Sequence, residues 1–359
     1  MERIAIIDPA SYALPYDFFY VKSLSQHYNI DFYCSRTKYN YEYVQRIKTL
    51  PNVIVYEYSI SGVNKYIGVL NYIRMLFTIV SSSKKYSSIN LQWSLVTLIE
   101  LAFLLFVKSK LIVTFHNSVP HGKARKAYFK SKAISFIANK LLFVSNYTRD
   151  DFLLLYGNIS NIKDKMFVLN HGVMPLNIDE KMIEEFTTPP KRIVFWGNVK
   201  DYKGVDFLAE AIPFINRKGY SLEVYGKFDK DKKNLYNKLT QAGVKVVDQY
   251  LKLDEIEEIL SSNIILALPY KAASQSGVMY TALYYNTVMI ATDCGDPHEF
   301  LKECNLEKLS FKYNDLDSLE KSLDYLTDNY ETVKERIQLS KSKYHWDYPY
   351  TVLDNIFGS

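Results

Sequence analysis

The feature that most limits what this chain can fold into is an alternation of short apolar runs, rich in β-branched and aromatic residues, with amphipathic stretches. The runs of the first half are "RIAIID" (3–8), "IDFYC" (30–34), "VIVYEY" (53–58), "INLQW" (89–93), "KLIVTFH" (110–116), "KLLFVS" (140–145) and "MFVLNHG" (166–172), with amphipathic stretches such as 17–28 and 123–138 between them. Strands joined through helices run parallel, because each return to the same edge of a sheet needs a crossover.

After residue 172 the rhythm stops. "VMPLNIDEKMIEEFTTPPK" carries three prolines and no strand period, and reads as a linker. The rhythm then restarts with "RIVFWG" (192–197), "SLEVYG" (221–226), "VKVVDQ" (244–249), "IILALPY" (264–270), "VMIATD" (288–293) and "LSFKY" (309–313). A chain of 359 residues exceeds one compact core, which agrees with two units. The expected class is α/β: two Rossmann-like domains facing each other across a cleft, the first over 1–175 and the second over 190–340. A C-terminal helix within 341–359 is expected to pack back toward the first. Ligands of open parallel sheets sit beyond the carboxyl ends of the strands, so polar residues there are the first candidates.

Composition narrows the class further. Apolar residues make up 48% and charged residues 23%, which describes folded halves rather than disorder. The chain opens directly on a strand pattern, with no basic segment leading into a signal core. The longest greasy stretch, "LVTLIELAFLLFV" (95–107), contains Glu100 and is shorter than the roughly 20 residues of a bilayer span, so a buried helix is expected. Three cysteines, Cys34, Cys294 and Cys304, have no CxxC or His spacing and point to a reducing, cytoplasmic setting. Charge is uneven: residues 1–170 hold 21 Lys and Arg against 10 Asp and Glu, and the remainder 23 against 29. The first half therefore faces an acidic partner.

Two strand ends of the second half carry anion chemistry. In "VFWGNVKDYKGVDFL" the strand ends at Gly197, Lys200 and Lys203 follow, and Gly204 precedes a helix from near Val205. Glycine admits close backbone approach, a helix N-terminus offers free N–H groups, and two lysines add charge; together they suit a diphosphate. The alternative is a solvated turn. The stretch has neither GxGxxG nor GxxxxGK[ST]. In "LPYKAASQSGVMYTAL" a loop with Gln275, Ser276 and Gly277 leads into a helix from about Val278, repeating the arrangement; alone, a Ser-Gly start is an ordinary cap.

These two stretches, with "INLQWS", "TFHNSVPHG", "KLLFVSNYTRDDF" and "MFVLNHGV" in order before them, resemble the GT-B glycosyltransferases, specifically the retaining family 4 of group 1 enzymes. The resemblance covers nearly the whole chain and implies an acceptor-binding first domain and a nucleotide-sugar-binding second one. It places Gly197, Asn198, Lys200, Lys203, Ser276, Gly277 and Val278 on the donor diphosphate, and Tyr250, Leu251, Gln275 and Thr281 on the base, ribose and sugar. His116 matches the cleft histidine near the donor sugar; at a strand terminus it is expected to titrate near neutrality, against the alternative of a structural cap. His116 and Lys203 are the catalytic candidates, Tyr12, Asp17 and Asn117 those of the acceptor side, and His171 a hinge residue.

One departure stands out: many members carry Glu-x7-Glu over this loop and helix, and here there is no glutamate. The expected reaction is transfer from a nucleotide-diphosphate sugar to a glycan or polyprenyl-diphosphate-linked acceptor with retention. No cofactor is implied, and no metal, since "DKD" (229–231) and "DLD" (315–317) lie in solvated charge runs. The run 121–140, with six Lys and Arg and no acid, and the mixed basic and apolar 64–86 suggest an anionic membrane surface and a peripheral cytoplasmic enzyme of surface polysaccharide synthesis. No nucleic-acid module accompanies the charge. The rivals are a non-catalytic GT-B partner subunit, a GT-B-fold sugar-nucleotide epimerase, and a nicotinamide oxidoreductase, which would need the missing glycine fingerprint.

Overall fold

The computed structural model describes residues 1–37, 41–95, 97–117, 124–177 and 185–358. It divides into a first unit, Met1–Gly172 with Trp346–Ser359, and a second, Val173–His345.

Each run read from the sequence forms a strand. In the first unit these are β1 (Arg3–Asp8), β2 (Asn29–Ser35), β3 (Val53–Tyr58), β4 (Ser88–Leu91), β5 (Leu111–Phe115), β6 (Lys140–Phe143) and β7 (Met166–Val168). They form one parallel sheet in the order β3-β2-β1-β4-β5-β6-β7. In the second unit β8 (Arg192–Trp196), β9 (Ser221–Tyr225), β10 (Lys245–Val247), β11 (Ile265–Leu268), β12 (Val288–Thr292) and β13 (Ser310–Phe311) pair in parallel as β10-β9-β8-β11-β12-β13. Helices cover both faces of a parallel sheet, so central strands bury both sides. Ile4 to Asp8 and all of β11 are buried, whereas the edge strands β3 and β10 are at best half-buried. The strand order fixes where candidates lie. In each sheet the order reverses beside the first strand, next to β4 in one and next to β11 in the other, and there the loops after neighbouring strands diverge to opposite faces.

One expectation fails. The helix Thr97–Leu105 is not buried: Leu98 is 82% exposed and Phe106, just beyond its end, 77%. Its single acid turns inward instead, and the Glu100 carboxylate accepts the Leu95 N–H at 2.9 Å in the helix's first turn. An unbroken apolar run has no period to mark its inner face, so the sequence did not distinguish the two sides. The helices Lys65–Ser81, Thr97–Leu105 and Ala124–Ile137 all belong to right-handed crossovers advancing in one direction along the sheet, which puts them on one face. The middle one touches both others. No helix among the described residues is long and apolar enough to cross a membrane.

Candidate functional site

In the second unit the loops after β8 and β11 meet because those strands are neighbours. Tyr202 O accepts the Lys271 N–H at 2.8 Å. Gly204, at φ +66°, caps the helix Val205–Arg217, and a Cβ there would lie 1.8 Å from Pro269 O. Only glycine fits that contact. A similar approach joins Gly226 to the Gly197 carbonyl, 2.0 Å from a Cβ built on Gly226. Tyr270 joins the two loops, its ring against the Lys203 ammonium and its hydroxyl against Ser276 at the start of the helix Gly277–Tyr284. Ser276 caps that helix by accepting the Met279 N–H, and its hydroxyl lies 3.1 Å from Tyr270 Oη. Gly277 and Val278 form its first turn, with free N–H groups.

Lys203 is not on a solvated turn, the alternative reading of its loop. Its ammonium lies 3.7 Å from the centroid of the Tyr270 ring and 5.2 Å from that of Tyr202, and burial lowers its pKa to about 8. The neighbouring lysines are neutralised: Lys271 pairs with Asp206 at 2.8 Å and Lys232 with Asp201 at 2.9 Å. Lys200 and Asn198 are exposed at the same loop. Tyr250 is 55% exposed and Leu251 packs partly on the core. Gln275 is half-buried. Thr281 is buried, and its hydroxyl donates to Gly277 O, a turn back along its own helix, at 2.9 Å. Of the acidic triplets, Asp315 is a helix cap that accepts the Ser318 N–H at 2.9 Å.

The first unit gathers His116, just beyond β5, with residues from β4, the helix Leu14–Leu24 and the C-terminal segment. His116 Nε2 lies 3.0 Å from Gln92 Oε1, which only accepts, so Nε2 carries the proton and Nδ1 is left as an acceptor. Gln92 donates to Asn90 Oδ1 at 2.7 Å, Tyr20 donates to the same oxygen at 2.9 Å, and Asn90 donates to Thr114 Oγ1 at 2.9 Å. Tyr16 packs edge-on against His116, His171 and Trp346 at centroid separations of 4.8, 5.1 and 5.2 Å. His171 bonds the Gly172 carbonyl at 2.6 Å. The expectation that His116 titrates near neutrality is corrected: burial lowers it to about 4, and His171 to about 3. Both rings are neutral at physiological pH, and His116 serves as a hydrogen-bonding group rather than a proton carrier. His116 and Asn117 line a cavity of about 230 Å³ with Gln92, Trp93 and Thr114.

Asp17 is also misread by the sequence. It is fully buried, and desolvation and then the Asp8 charge hold its carboxyl well above the usual range, so it is protonated against Asp8. It has no face for an acceptor. Tyr12 is 65% exposed and rests edge-on against Trp93 at 5.7 Å. Tyr270 and the Asp8–Asp17 pair are the residues that sequence reasoning missed. Tyr270 stood in the quoted loop, but its ring contact depends on a residue 67 positions away across two strands.

Comparisons with known proteins fit this geometry. Residues 190–329 match the family model described as glycosyl transferases group 1. No curated protein matches the sequence. Among solved structures, HepE (Alr3699) of Anabaena in complex with UDP and glucose superposes with a TM-score of 0.69 at 11% identity, covering 99% of this chain and 98% of that one. Sucrose-phosphate synthase of Thermosynechococcus elongatus gives 0.69 at 14% identity, covering 99% and 97%. WaaG, a glycosyltransferase involved in lipopolysaccharide biosynthesis, gives 0.63 at 11%, covering 100% of both chains. The fold is therefore the GT-B fold of glycosyltransferases. The stretch that matches the group 1 glycosyl transferase model lies within the second unit and includes the loops after β8 and β11.

Proposed function

We propose that the protein is a retaining glycosyltransferase that moves a sugar from a nucleotide-diphosphate donor to a glycan or lipid-linked glycan, in surface polysaccharide synthesis. The observation that carries this reading is the convergence of Lys203, an ammonium without a carboxylate partner among the described residues, on the N-terminus of the helix Gly277–Tyr284. Cleaving a sugar–diphosphate bond places growing negative charge on the leaving group, and fixed cationic and N–H dipoles there lower the barrier. UDP in the HepE complex supports the donor class. His116 Nδ1 and Asn117, at the rim of a neutral cavity, suit sugar hydroxyls.

Lys203→Ala is expected to lower kcat/KM ten- to a hundredfold, the effect of losing about 1.5 to 3 kcal/mol of charge-assisted bonding. Radiolabelled sugar nucleotides with lipid-linked acceptors provide the assay, and undiminished turnover in a folded Lys203→Ala protein would remove the assignment. Because the diphosphate charge is met by Lys200, Lys203 and the helix start, turnover should persist in EDTA. A non-catalytic partner subunit is the second reading, favoured by the inward hydroxyl of Thr281 near the missing glutamates; it would bind sugar nucleotides in a thermal-shift panel and turn none over.

The acceptor's address is an anionic membrane surface on the cytoplasmic side. Supporting it, Tyr66, Phe77, Leu98, Phe129 and Phe136 on the three helices that share one face, and Phe106 just beyond the second, are each more than 60% exposed, and Lys65, Arg74 and Lys132 are exposed beside them. Apolar side chains set among cations suit a headgroup interface. Lys123, and the side chains of Arg125, Lys126 and Lys130, lie outside the described residues. Lys140 does not join this face: its ammonium is bonded to the Asn355 and Ile356 carbonyls at 2.8 and 3.0 Å. Flotation with anionic vesicles at low salt tests the reading, and Phe77→Asp with Phe106→Asp should abolish it.

A further inference from the structure

Tyr270 stands where the two anion-binding loops join. It is 1% exposed, and its carbonyl accepts from Thr292 Oγ1 at 2.5 Å and Cys294 Sγ at 3.1 Å, so the residue is fixed from below. Its ring face receives the Lys203 ammonium at 3.7 Å, and its hydroxyl lies 3.1 Å from Ser276 Oγ, the cap of the helix Gly277–Tyr284. A carboxylate at this place would hold Lys203 more tightly but would neutralise it and repel an incoming diphosphate. An aromatic face orients the cation through its quadrupole and leaves the charge whole.

We propose that Tyr270 is a positioning residue for the donor diphosphate, its ring holding Lys203 and its hydroxyl holding Ser276, so that the lysine and the helix start are kept as one anion site. This rests on the donor-site reading above. The arrangement carries a pH signature: with its pKa lowered by burial to about 8, Lys203 loses its proton, and the site its charge, in mildly alkaline solution. A bound diphosphate opposes that loss by stabilising the charged form.

The experiment is calorimetric titration of the full chain with UDP, and with GDP and ADP alongside, from pH 6.5 to 9.5. Wild-type affinity for the nucleotide it binds should fall as pH rises through about 8. Tyr270→Leu should weaken binding at pH 7 by about three- to thirtyfold, the range of a partly desolvated cation–π contact, and should move the alkaline fall to lower pH, because leucine keeps the burial that depresses Lys203 and removes the ring's stabilisation of its charged form. Tyr270→Phe keeps the ring and so the alkaline fall, but weakens binding by roughly two- to tenfold through the lost bond to Ser276. An unchanged affinity and pH profile in Tyr270→Leu overturns the proposal. If that variant does not fold, Tyr270→Phe decides, and wild-type affinity in it overturns the link to Ser276. A flat wild-type profile overturns the link to Lys203. If none of the three nucleotides binds, or Lys203→Met binds as wild type, the donor-site reading itself falls and takes this inference with it.

Discussion

His116 and Lys203 both follow a strand at the carboxyl edge of a parallel sheet, yet they sit in opposite physical states. Around His116 the groups are buried or half-buried and carry no cation: two neutral imidazoles, the Tyr16 and Trp346 rings, an amide chain through Gln92 and Asn90, and nearby a carboxyl pair that keeps a proton. Around Lys203 a positive charge without a carboxylate partner among the described residues lies over the Tyr270 ring, whose hydroxyl reaches the cap of the helix Gly277–Tyr284. The first unit carries the larger formal excess of cations, and among them Lys65, Arg74 and Lys132 stand exposed on the helices with outward apolar side chains. On the proposed reading, the unneutralised cation serves the diphosphate, the neutral hydrogen-bonding groups serve sugar hydroxyls, and the basic and apolar helices serve a surface.

The largest effect should come from destroying the joint that creates the charged site. Gly204→Val puts a β-branched residue at φ +66° and a carbon onto the Pro269 carbonyl. Neither strain relaxes without parting the loops, so a loss of more than about 4 kcal/mol is expected, and the second unit should fail to melt cooperatively in calorimetry. A variant that melts like wild type would show that the loops are not locked together.

Acid should next distinguish the units. An unfolded histidine binds its proton near pH 6.5, whereas buried His116 does so near 4 and His171 near 3. Because the folded values are depressed, stability is complete above about pH 6.5 and falls as the unfolded chain takes up protons that the folded one refuses. For His116 alone the loss by pH 4 is about 3 kcal/mol. Hydrogen exchange followed from pH 7 to 4 should show the first unit opening ahead of the second; simultaneous opening would deny that the neutral cluster is the weak point.

Asp17 runs the opposite way. Its folded value is raised, so its contribution is full below the unfolded pKa of about 4 and is lost as pH rises, because folding must then return a proton to it. Asp17→Asn keeps the shape and a donor toward Asp8, and should stabilise the protein by about 1 to 3 kcal/mol at pH 7 while changing little at pH 3.5. Thermal melts of the two proteins across that range measure it, and a destabilised variant at neutral pH would mean that Asp17 is ionised and used.

How much of this was legible follows from the distance over which each feature is encoded. The strands and the breaks between them are local patterns, and "FWGNVKDYKG" and "SQSG" announce glycine, cation and cap within a few residues. Pairwise contacts set by strand order are not local. The Tyr270 ring under Lys203 and the Asp8 carboxyl against Asp17 come into being only when β8 meets β11 and when β1 meets the helix that follows it. The orientation of 95–107 was hidden for a different reason, since a run apolar on every side encodes no inner face.

The smallest effect is the most discriminating for the charged site. Lys200 and Lys203 share a loop, and the resemblance places both on the diphosphate, but Lys200 is exposed while Lys203 lies against two rings. A solvated cation near a diphosphate is screened by water and by salt within roughly 8 Å at physiological ionic strength, and exposed pairs contribute about 1 kcal/mol or less. Lys200→Ala should therefore raise the nucleotide Kd by only about two- to fivefold, and the difference should vanish in high salt. The Lys203→Ala deficit should persist to a larger degree in the same salt, because its half-buried charge is screened less than that of exposed Lys200. Titrating both variants with UDP at low and high salt puts the two lysines on one scale; equal deficits with equal salt dependence would mean that the ring contact at Lys203 confers nothing that solvent exposure does not.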